Sequence, residues 1–251
     1  MAETTLPTSG AATRMAHTPL VLTPRATWLV ALTWLTPIAL IASQAWFIMA
    51  SAPDRDMGHL QKIMYVHVPA AWNAFLAFLW VFIQSIRYLW TRDERADLQA
   101  AAGAEVGAVL TGLTLALGSI WGRPTWGVWW TWDARLTSTA VLFLVYVGYL
   151  ALRGLTDDSE RRARWSAAVG ILGALNVPIV YMSVKWWRTL HQMQSAPSTL
   201  DPTYTMGLRA NAFAFLFMLI VFVAYRYRSL LAERILERQQ DEAALTRRHR
   251  A

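Results

Sequence analysis

Apolar residues in this chain fall into six long stretches that are separated by short polar segments. A helix that crosses a lipid bilayer needs about 20 mainly apolar residues, and each stretch is close to that length or exceeds it. The stretches cover residues 27–50, 68–90, 99–120, 137–153, 163–183 and 207–227. The pattern therefore predicts an all-α, polytopic membrane protein with six transmembrane helices.

Proline and glycine occur inside several of these predicted helices. Pro37 lies in the first and Pro178 in the fifth, while Gly103 and Gly107 are spaced four residues apart in the third. Small residues at this spacing allow a neighbouring helix to approach closely, and membrane helices tolerate proline because nearby groups satisfy the freed backbone. We therefore assign these residues to packing and kinks.

The composition agrees with a membrane protein and excludes several other classes. Of the 251 residues, 55% are hydrophobic, and the mean hydropathy is +0.30, which is more apolar than a soluble domain of this size usually is. The chain has no cysteine, which excludes disulfides, thiolate metal sites and thioether attachment of a prosthetic group. A phosphate-binding GxxxxGK[ST] loop is also absent from the sequence, so ATP hydrolysis through that motif is excluded.

The net charge of +7 is spread over short loops and tails, so it does not form the compact basic module of a nucleic-acid-binding protein. Sixteen of the 23 Lys and Arg residues lie on one side of the predicted helices. Because cytoplasmic segments carry the excess of positive charge, both termini are predicted to be cytoplasmic. The outer loops are then residues 51–67, 121–136 and 184–206.

This topology divides the chain into three parts. Residues 1–26 form a cytoplasmic N-terminal tail, without the apolar core and cleavage site of a removable signal peptide, so we expect the first span to be an uncleaved anchor. Residues 27–227 form the six-helix membrane domain. Residues 228–251 mix leucines with Arg and Glu and predict a cytoplasmic amphipathic tail.

The second predicted outer loop contains a concentration of tryptophan. We call residues 121–137, with the sequence WGRPTWGVWWTWDARLT, the Trp-rich segment. Its five tryptophans are Trp121, Trp126, Trp129, Trp130 and Trp132. An interfacial belt would distribute tryptophan over all helix ends, whereas this cluster, with its Gly and Pro residues, indicates a folded-back loop that presents flat aromatic surface. Such a surface suits a flat ligand such as a porphyrin, and an interfacial belt stays open as the alternative.

Two charged residues follow the tryptophans immediately before the fourth predicted helix. Asp133 and Arg135 are most simply explained as a helix cap with a surface ion pair. In the context of a ligand platform, Asp133 would instead accept an indole N–H, and Arg135 would pair with a carboxylate of the ligand. Both interpretations stay open at this point.

Two of the five histidines flank the Trp-rich segment on its predicted side of the membrane. His67 lies at the outer end of the second helix, and His191 lies in the loop after the fifth. Imidazole is a common axial ligand of haem iron, so the sequence predicts that these two side chains hold a haem from its two faces. Met193 is a candidate substitute ligand that we assign to packing. Cations predicted on the same side, as partners for the haem propionates, are Lys62, Arg123, Arg135 and Arg188.

The chain resembles the CcmC family of haem-handling membrane proteins over nearly its whole length. The resemblance rests on the six helices, on the pattern WGxxxWGxxWWxWDxRLT of the Trp-rich segment, known as the WWD motif, and on the histidines before and after it. It implies that haem b binds at the outer surface of the bacterial inner membrane, ligated by His67 and His191 and in contact with the tryptophans. The related CcmF and CcsA families share a similar segment but are longer and carry further histidines.

The resemblance also implies a place in cytochrome c biogenesis. Members of the family present haem to a small membrane-anchored chaperone, CcmE, whose histidine becomes covalently joined to a haem vinyl group. The ATP-binding transporter of CcmA and CcmB, and the small protein CcmD, accompany them. We therefore expect a protein that positions haem for a partner rather than a conventional enzyme.

Two other functions are compatible with a six-helix haem protein. A haem permease would line its interior with polar residues at mid-depth, for which Ser43, Gln44 and Asn176 are the few candidates, while Glu105 is predicted nearer the cytoplasmic end. An electron-transferring cytochrome b subunit would place pairs of histidines inside the helical bundle, whereas His67 and His191 lie at helix ends or in loops.

Overall fold

Six long helices make up the fold in a computed structural model that describes residues 20–191 and 202–250. The helices are α1 (Thr27–Ala50), α2 (Met64–Thr91), α3 (Glu94–Trp126), α4 (Ala134–Leu155), α5 (Ser159–Trp186) and α6 (Pro202–Arg250). All six are long and apolar enough to cross a membrane, and within the described residues no strand is formed. The predicted all-α, six-span architecture is confirmed, and the chain is a multi-pass membrane protein.

Helix ends in this structure are set by caps rather than by the limits of apolar sequence. α3, α4 and α5 each begin after an aspartate, Asp93, Asp133 or Asp158, whose carboxylate accepts a main-chain N–H from the first turn at 2.8–3.0 Å. α3 ends at Gly127, which has a φ of 80°, the left-handed conformation that glycine adopts without steric cost. These three helices therefore extend beyond the predicted apolar stretches.

α2 lies at the centre of the bundle, where it packs against α3, α5 and α6. Its closest approach to α3 is at Gly107, where a Cβ atom would lie 2.6 Å from Cε1 of Phe78. No side chain fits at that distance, so the prediction that the Gly103/Gly107 pair allows close helix approach is confirmed. Phe78 also stacks on Tyr146 of α4, with ring centroids 3.7 Å apart.

α6 continues without a break through the region predicted to be a separate amphipathic tail from residue 228. Its 49 residues span about 74 Å at 1.5 Å per residue, more than twice the hydrocarbon thickness of about 30 Å. Glu105 of α3 binds the Arg226 guanidinium at 2.5 and 3.0 Å, and Glu94 pairs with Arg234 and Arg238. These ion pairs connect the extended helix to the first half of α3.

Candidate functional site

A cavity of about 300 Å³ lies at the end of the bundle where α2 and α4 begin and α3 and α5 end. Its volume is in the range of small-molecule sites, and its lining is mostly apolar and aromatic, as such sites usually are. Six of the residues predicted to form a site line this one cavity. They are His67, Trp121, Trp126, Trp130, Arg135 and His191.

His67 lies in the first turn of α2, at the end of the second helix where the sequence predicted it. A short 3-10 helix, His59–Ile63, leads directly into α2 at Met64, so the helix begins one turn earlier than its apolar sequence indicates. The imidazole is buried, and its Nδ1 atom has no hydrogen-bond partner among the described residues. A Cβ atom on Gly118 of α3 would lie 3.2 Å from Cε1 of His67, so glycine at this position leaves room for the ring.

The Trp-rich segment is helical over its first third, which corrects the prediction of a folded-back loop from residue 121. α3 continues to Trp126 because Gly122, one turn earlier, lets that indole lie against the helix; a Cβ on Gly122 would be 3.0 Å from Cε3 of Trp126. Pro124 is accommodated inside this last turn. Only residues 127–133 form the connection to α4.

The five tryptophans of the segment divide into two groups. Trp121 meets the His67 ring edge-on with centroids 5.9 Å apart, and the centroid of Trp126 lies 6.5 Å from that of His191. In contrast, Trp129 and Trp132 are 60% and 85% exposed, and neither belongs to the described cavity lining. Trp121, Trp126 and Trp130 therefore supply the aromatic surface of the described cavity.

Asp133 joins the Trp-rich segment to the loop that carries His191. It caps α4, and its second carboxylate oxygen accepts the main-chain N–H of Leu190 at 2.8 Å. The Thr189 hydroxyl accepts the N–H of His191 at 3.0 Å and also interacts with the Asp133 carboxylate. Asp133 therefore links the start of α4 to Leu190, the residue before His191.

Hydrogen bonding keeps Asp133 ionised. Partial burial opposes ionisation, but hydrogen bonds from the Thr189 side chain and from the main-chain N–H groups of Leu190 and Arg135 outweigh it and lower the pKa of the carboxyl below its usual range. Because the pKa is lower in the folded state, these bonds stabilise the loop at neutral pH. Their contribution is lost as the pH falls through that lowered pKa.

Of the four predicted propionate partners, only Arg135 lines the cavity. The Lys62 ammonium donates to the main-chain carbonyl of Ile48 at 2.6 Å, and the Arg123 guanidinium donates to the carbonyl of Gly127 at the end of α3. Arg188 is exposed. Arg135 is therefore the cation that the described cavity offers to an anionic ligand.

Sequence reasoning missed the walls of the cavity beside these residues. They comprise apolar and hydroxyl side chains of α2 to α5, including Ala71, Ala74, Phe75, Thr111, Thr114, Leu115, Thr139 and Tyr181. The available signal was helical spacing. Residues four, seven and eight positions after His67 lie on the same face of α2 as His67. Residues three, seven and ten positions before Trp121 likewise share a face of α3 with Trp121. Applied to α2 and α3, that period would have found most of them.

Comparison with known proteins assigns the chain to a family. Residues 11–243 match the family described as CcmC: Heme exporter protein C. The chain belongs to the CcmC family. Heme exporter protein C of Bradyrhizobium diazoefficiens is 40% identical over 223 residues, which cover 86% of this chain and 83% of the relative. The protein of the same name from Escherichia coli strain K12 is 37% identical over 207 residues, covering 79% of this chain and 84% of the relative.

CcmC-like sequences also occur outside bacteria. A ccmC-like mitochondrial protein of cytochrome c biosynthesis from Marchantia polymorpha is 39% identical over 160 residues, which cover 60% of this chain and 67% of the relative. Membership of the CcmC family agrees with the resemblance that the Trp-rich segment and its two flanking histidines indicated.

Proposed function

We propose that this chain binds haem b in the cavity between His67 and His191 and presents it to the chaperone CcmE for covalent attachment. The coarser part of this function, a haem-handling role in cytochrome c maturation, follows from membership of the CcmC family. The observation that carries the finer part is the convergence of two histidines, distant in sequence, on one cavity with three indoles.

The chemistry of the lining fits a haem. The Nδ1 atom of His67 is buried without a hydrogen bond in the described structure, which is costly unless a ligand engages the ring. In metal-binding histidines, one ring nitrogen binds the metal while the other is held by a second group, and the main chain of Thr114 lies close enough to the His67 ring to act as that group. Trp121, Trp126 and Trp130 supply apolar surface, and Arg135 supplies a cation for a carboxylate.

The chain would act on bound haem by holding and orienting it. Haem supplies the iron that the imidazoles ligate and the vinyl group that the partner attacks. The described residues enclose the cavity only partly, which suits a ligand that must present one edge to a partner. Fixing a reactant in one orientation lowers the entropic part of the barrier to its reaction with a partner, which suits a protein that positions haem rather than transforming it.

The proposal includes an orientation and a set of partners. Both termini are cytoplasmic, the cavity faces the periplasm, and the membrane is the bacterial inner membrane; the excess of Lys and Arg on the opposite side of the helices supports this. The partners are CcmE, the transporter subunits CcmA and CcmB, and the small membrane protein CcmD.

The polar residues that a permease would use are instead engaged in contacts between helices. The contacts are Ser43 with Asn211, Gln44 with the carbonyl of Tyr65, Asn176 with the carbonyl of Ser138, and Glu105 with Arg226. A transport path through the bundle would have to break them. Haem binding at one end of the bundle therefore accounts better for these residues than haem passage through it.

Reconstitution with the partner tests the presentation step. Purified chain, haem and CcmE are incubated in lipid vesicles, and the mass of CcmE is measured to detect covalently attached haem. We expect the adduct with the unaltered chain and with His59→Ala, whose histidine is exposed and outside the cavity lining. The chain with His67→Ala and His191→Ala should form none, and an undiminished adduct with that chain would refute the proposal.

Loss of the Asp133 carboxylate should weaken haem binding without removing a ligand. Asp133→Ala frees the N–H of Leu190 and the loop that carries His191, and loss of such a supporting group costs about 10–100-fold in metal-site affinity. Titration of haem into purified protein, followed by absorbance, measures the effect. Asp158→Ala is the matched control, because Asp158 caps α5 through the same kind of hydrogen bond, whereas the bond to Leu190 in the His191 loop is made by Asp133. Equal haem affinity in the two variants would show that Asp133 acts only as a cap.

A further inference from the structure

A second cavity lies towards the other end of α3, in a groove bordered by α4 and α6. Its volume is about 770 Å³, and none of its lining residues belongs to the histidine cavity. We call it the α3–α4–α6 groove. One part is apolar, with Ala108, Val109 and Gly112 on α3 and Phe143 and Val147 on α4. The other part is charged, so the groove is amphipathic.

The charged part contains an arginine that lacks a partner in the described structure. Arg162, from the first turn of α5, lines the groove, and its Nε atom is buried without a hydrogen bond among the described residues. Neighbouring guanidiniums are satisfied: Arg153 binds Asp97 at 2.5 and 2.9 Å, and Arg234 pairs with Glu94. Arg162 is also repelled by Arg153 and Arg234, which Asp97 and Glu237 only partly offset.

We propose that the α3–α4–α6 groove binds an anionic phospholipid, with its phosphate at Arg162 and an acyl chain along the apolar part. A guanidinium presents a planar set of donors that matches phosphate oxygens, and basic pockets between transmembrane helices are typical sites for anionic head groups. The groove also carries glutamates, but Glu105 and Glu233 bind Arg226, and Glu237 binds Arg234. These pairs leave Arg162 as the cation for the phosphate.

The apolar part favours a lipid over a soluble anion. Val109 is 70% exposed in the groove, and no described residue covers it as a core neighbour would. An acyl chain lying against Val109 and Val147 keeps this apolar surface in contact with hydrocarbon, while the phosphate on the same molecule neutralises Arg162. A free phosphate would pair with Arg162 but would leave the apolar part of the groove uncovered.

Native mass spectrometry of the purified full chain tests this site. We expect one phosphatidylglycerol to be retained when it is supplied in detergent, and little phosphatidylcholine. Arg162→Gln should reduce retention about tenfold, the effect of losing one charge-assisted contact. Arg161→Gln is the control, because Arg161 is the preceding residue but its side chain is exposed and lies outside the groove lining.

Further variants and competing anions distinguish a bound phospholipid from a bound free phosphate. Val109→Trp fills the apolar part while leaving the Arg162 side chain in place and should also reduce retention, while Arg162→Lys, which keeps the charge but loses the planar donor set, should retain more lipid than Arg162→Gln and less than the unaltered chain. Glycerol 3-phosphate and inorganic phosphate should neither displace the lipid nor raise the melting temperature as phosphatidylglycerol does. Equal retention by Arg162→Gln and Arg161→Gln, equal retention of phosphatidylcholine, or full displacement by inorganic phosphate would each overturn the proposal. Haem binding should be unchanged in Arg162→Gln, so the two sites are tested independently.

Discussion

A chain that carries both His67→Ala and His191→Ala will purify without haem. The two imidazoles are the only histidine side chains in the described cavity lining, and without them a haem bound there would be held by apolar contact and Arg135 alone. We expect haem occupancy to fall by at least about 100-fold, more than the 10–100-fold effect of losing a supporting group around a ligand. The ratio of haem absorbance to protein absorbance after purification measures the loss.

Two single variants and one control variant show whether each histidine contributes to haem binding. His67→Ala and His191→Ala alone should each weaken haem binding and change its spectrum, because each removes one of the two imidazoles that would ligate the iron. His59→Ala should leave occupancy and spectrum unchanged, since that side chain is exposed. A double variant that still carries haem with the original spectrum would show that other residues ligate the iron.

Removal of the Asp97 carboxylate should destabilise the bundle strongly. Asp97 of α3 and Arg153 of α4 form a bidentate ion pair, and their side chains are only 7% and 13% exposed. Asp97→Ala leaves the Arg153 guanidinium buried without its partner, which costs about 3–5 kcal/mol. Unfolding in mixed detergent micelles, followed by tryptophan fluorescence, measures the loss of free energy.

An exposed ion pair supplies the matched comparison. Arg87 and Asp93 lie 2.6 Å apart, but their side chains are 48% and 27% exposed. Arg87→Ala should therefore cost less than about 1 kcal/mol. If Asp97→Ala costs no more than Arg87→Ala, the Asp97–Arg153 pair does not hold α3 to α4.

The fold was largely predictable because the membrane imposes a simple rule on sequence. An apolar run of sufficient length must form a helix in lipid, so all six spans and the close approach at Gly107 could be predicted. Hydropathy marks the hydrocarbon thickness, however, and not the helix ends. Asp93 and Asp133 set the starts of α3 and α4, and α6 continues far beyond its apolar part.

The candidate site was predictable only in outline. The order of His67, the Trp-rich segment and His191 along the chain indicated that they meet at one end of the bundle, and they line one cavity. Sequence did not distinguish Arg135 from the three other cations, since their contacts depend on loop geometry. Nor did it reveal the bond between Asp133 and Leu190, because 57 residues separate the two and no periodicity connects them.

The axial ligands of bound haem are the central claim of this account, and near-infrared magnetic circular dichroism of the ferric haem-loaded chain identifies them directly. We predict the signature of two histidine ligands in the unaltered protein and its loss in both His67→Ala and His191→Ala. A different ligand pair in the unaltered protein, or the same signature after either substitution, would contradict the assignment.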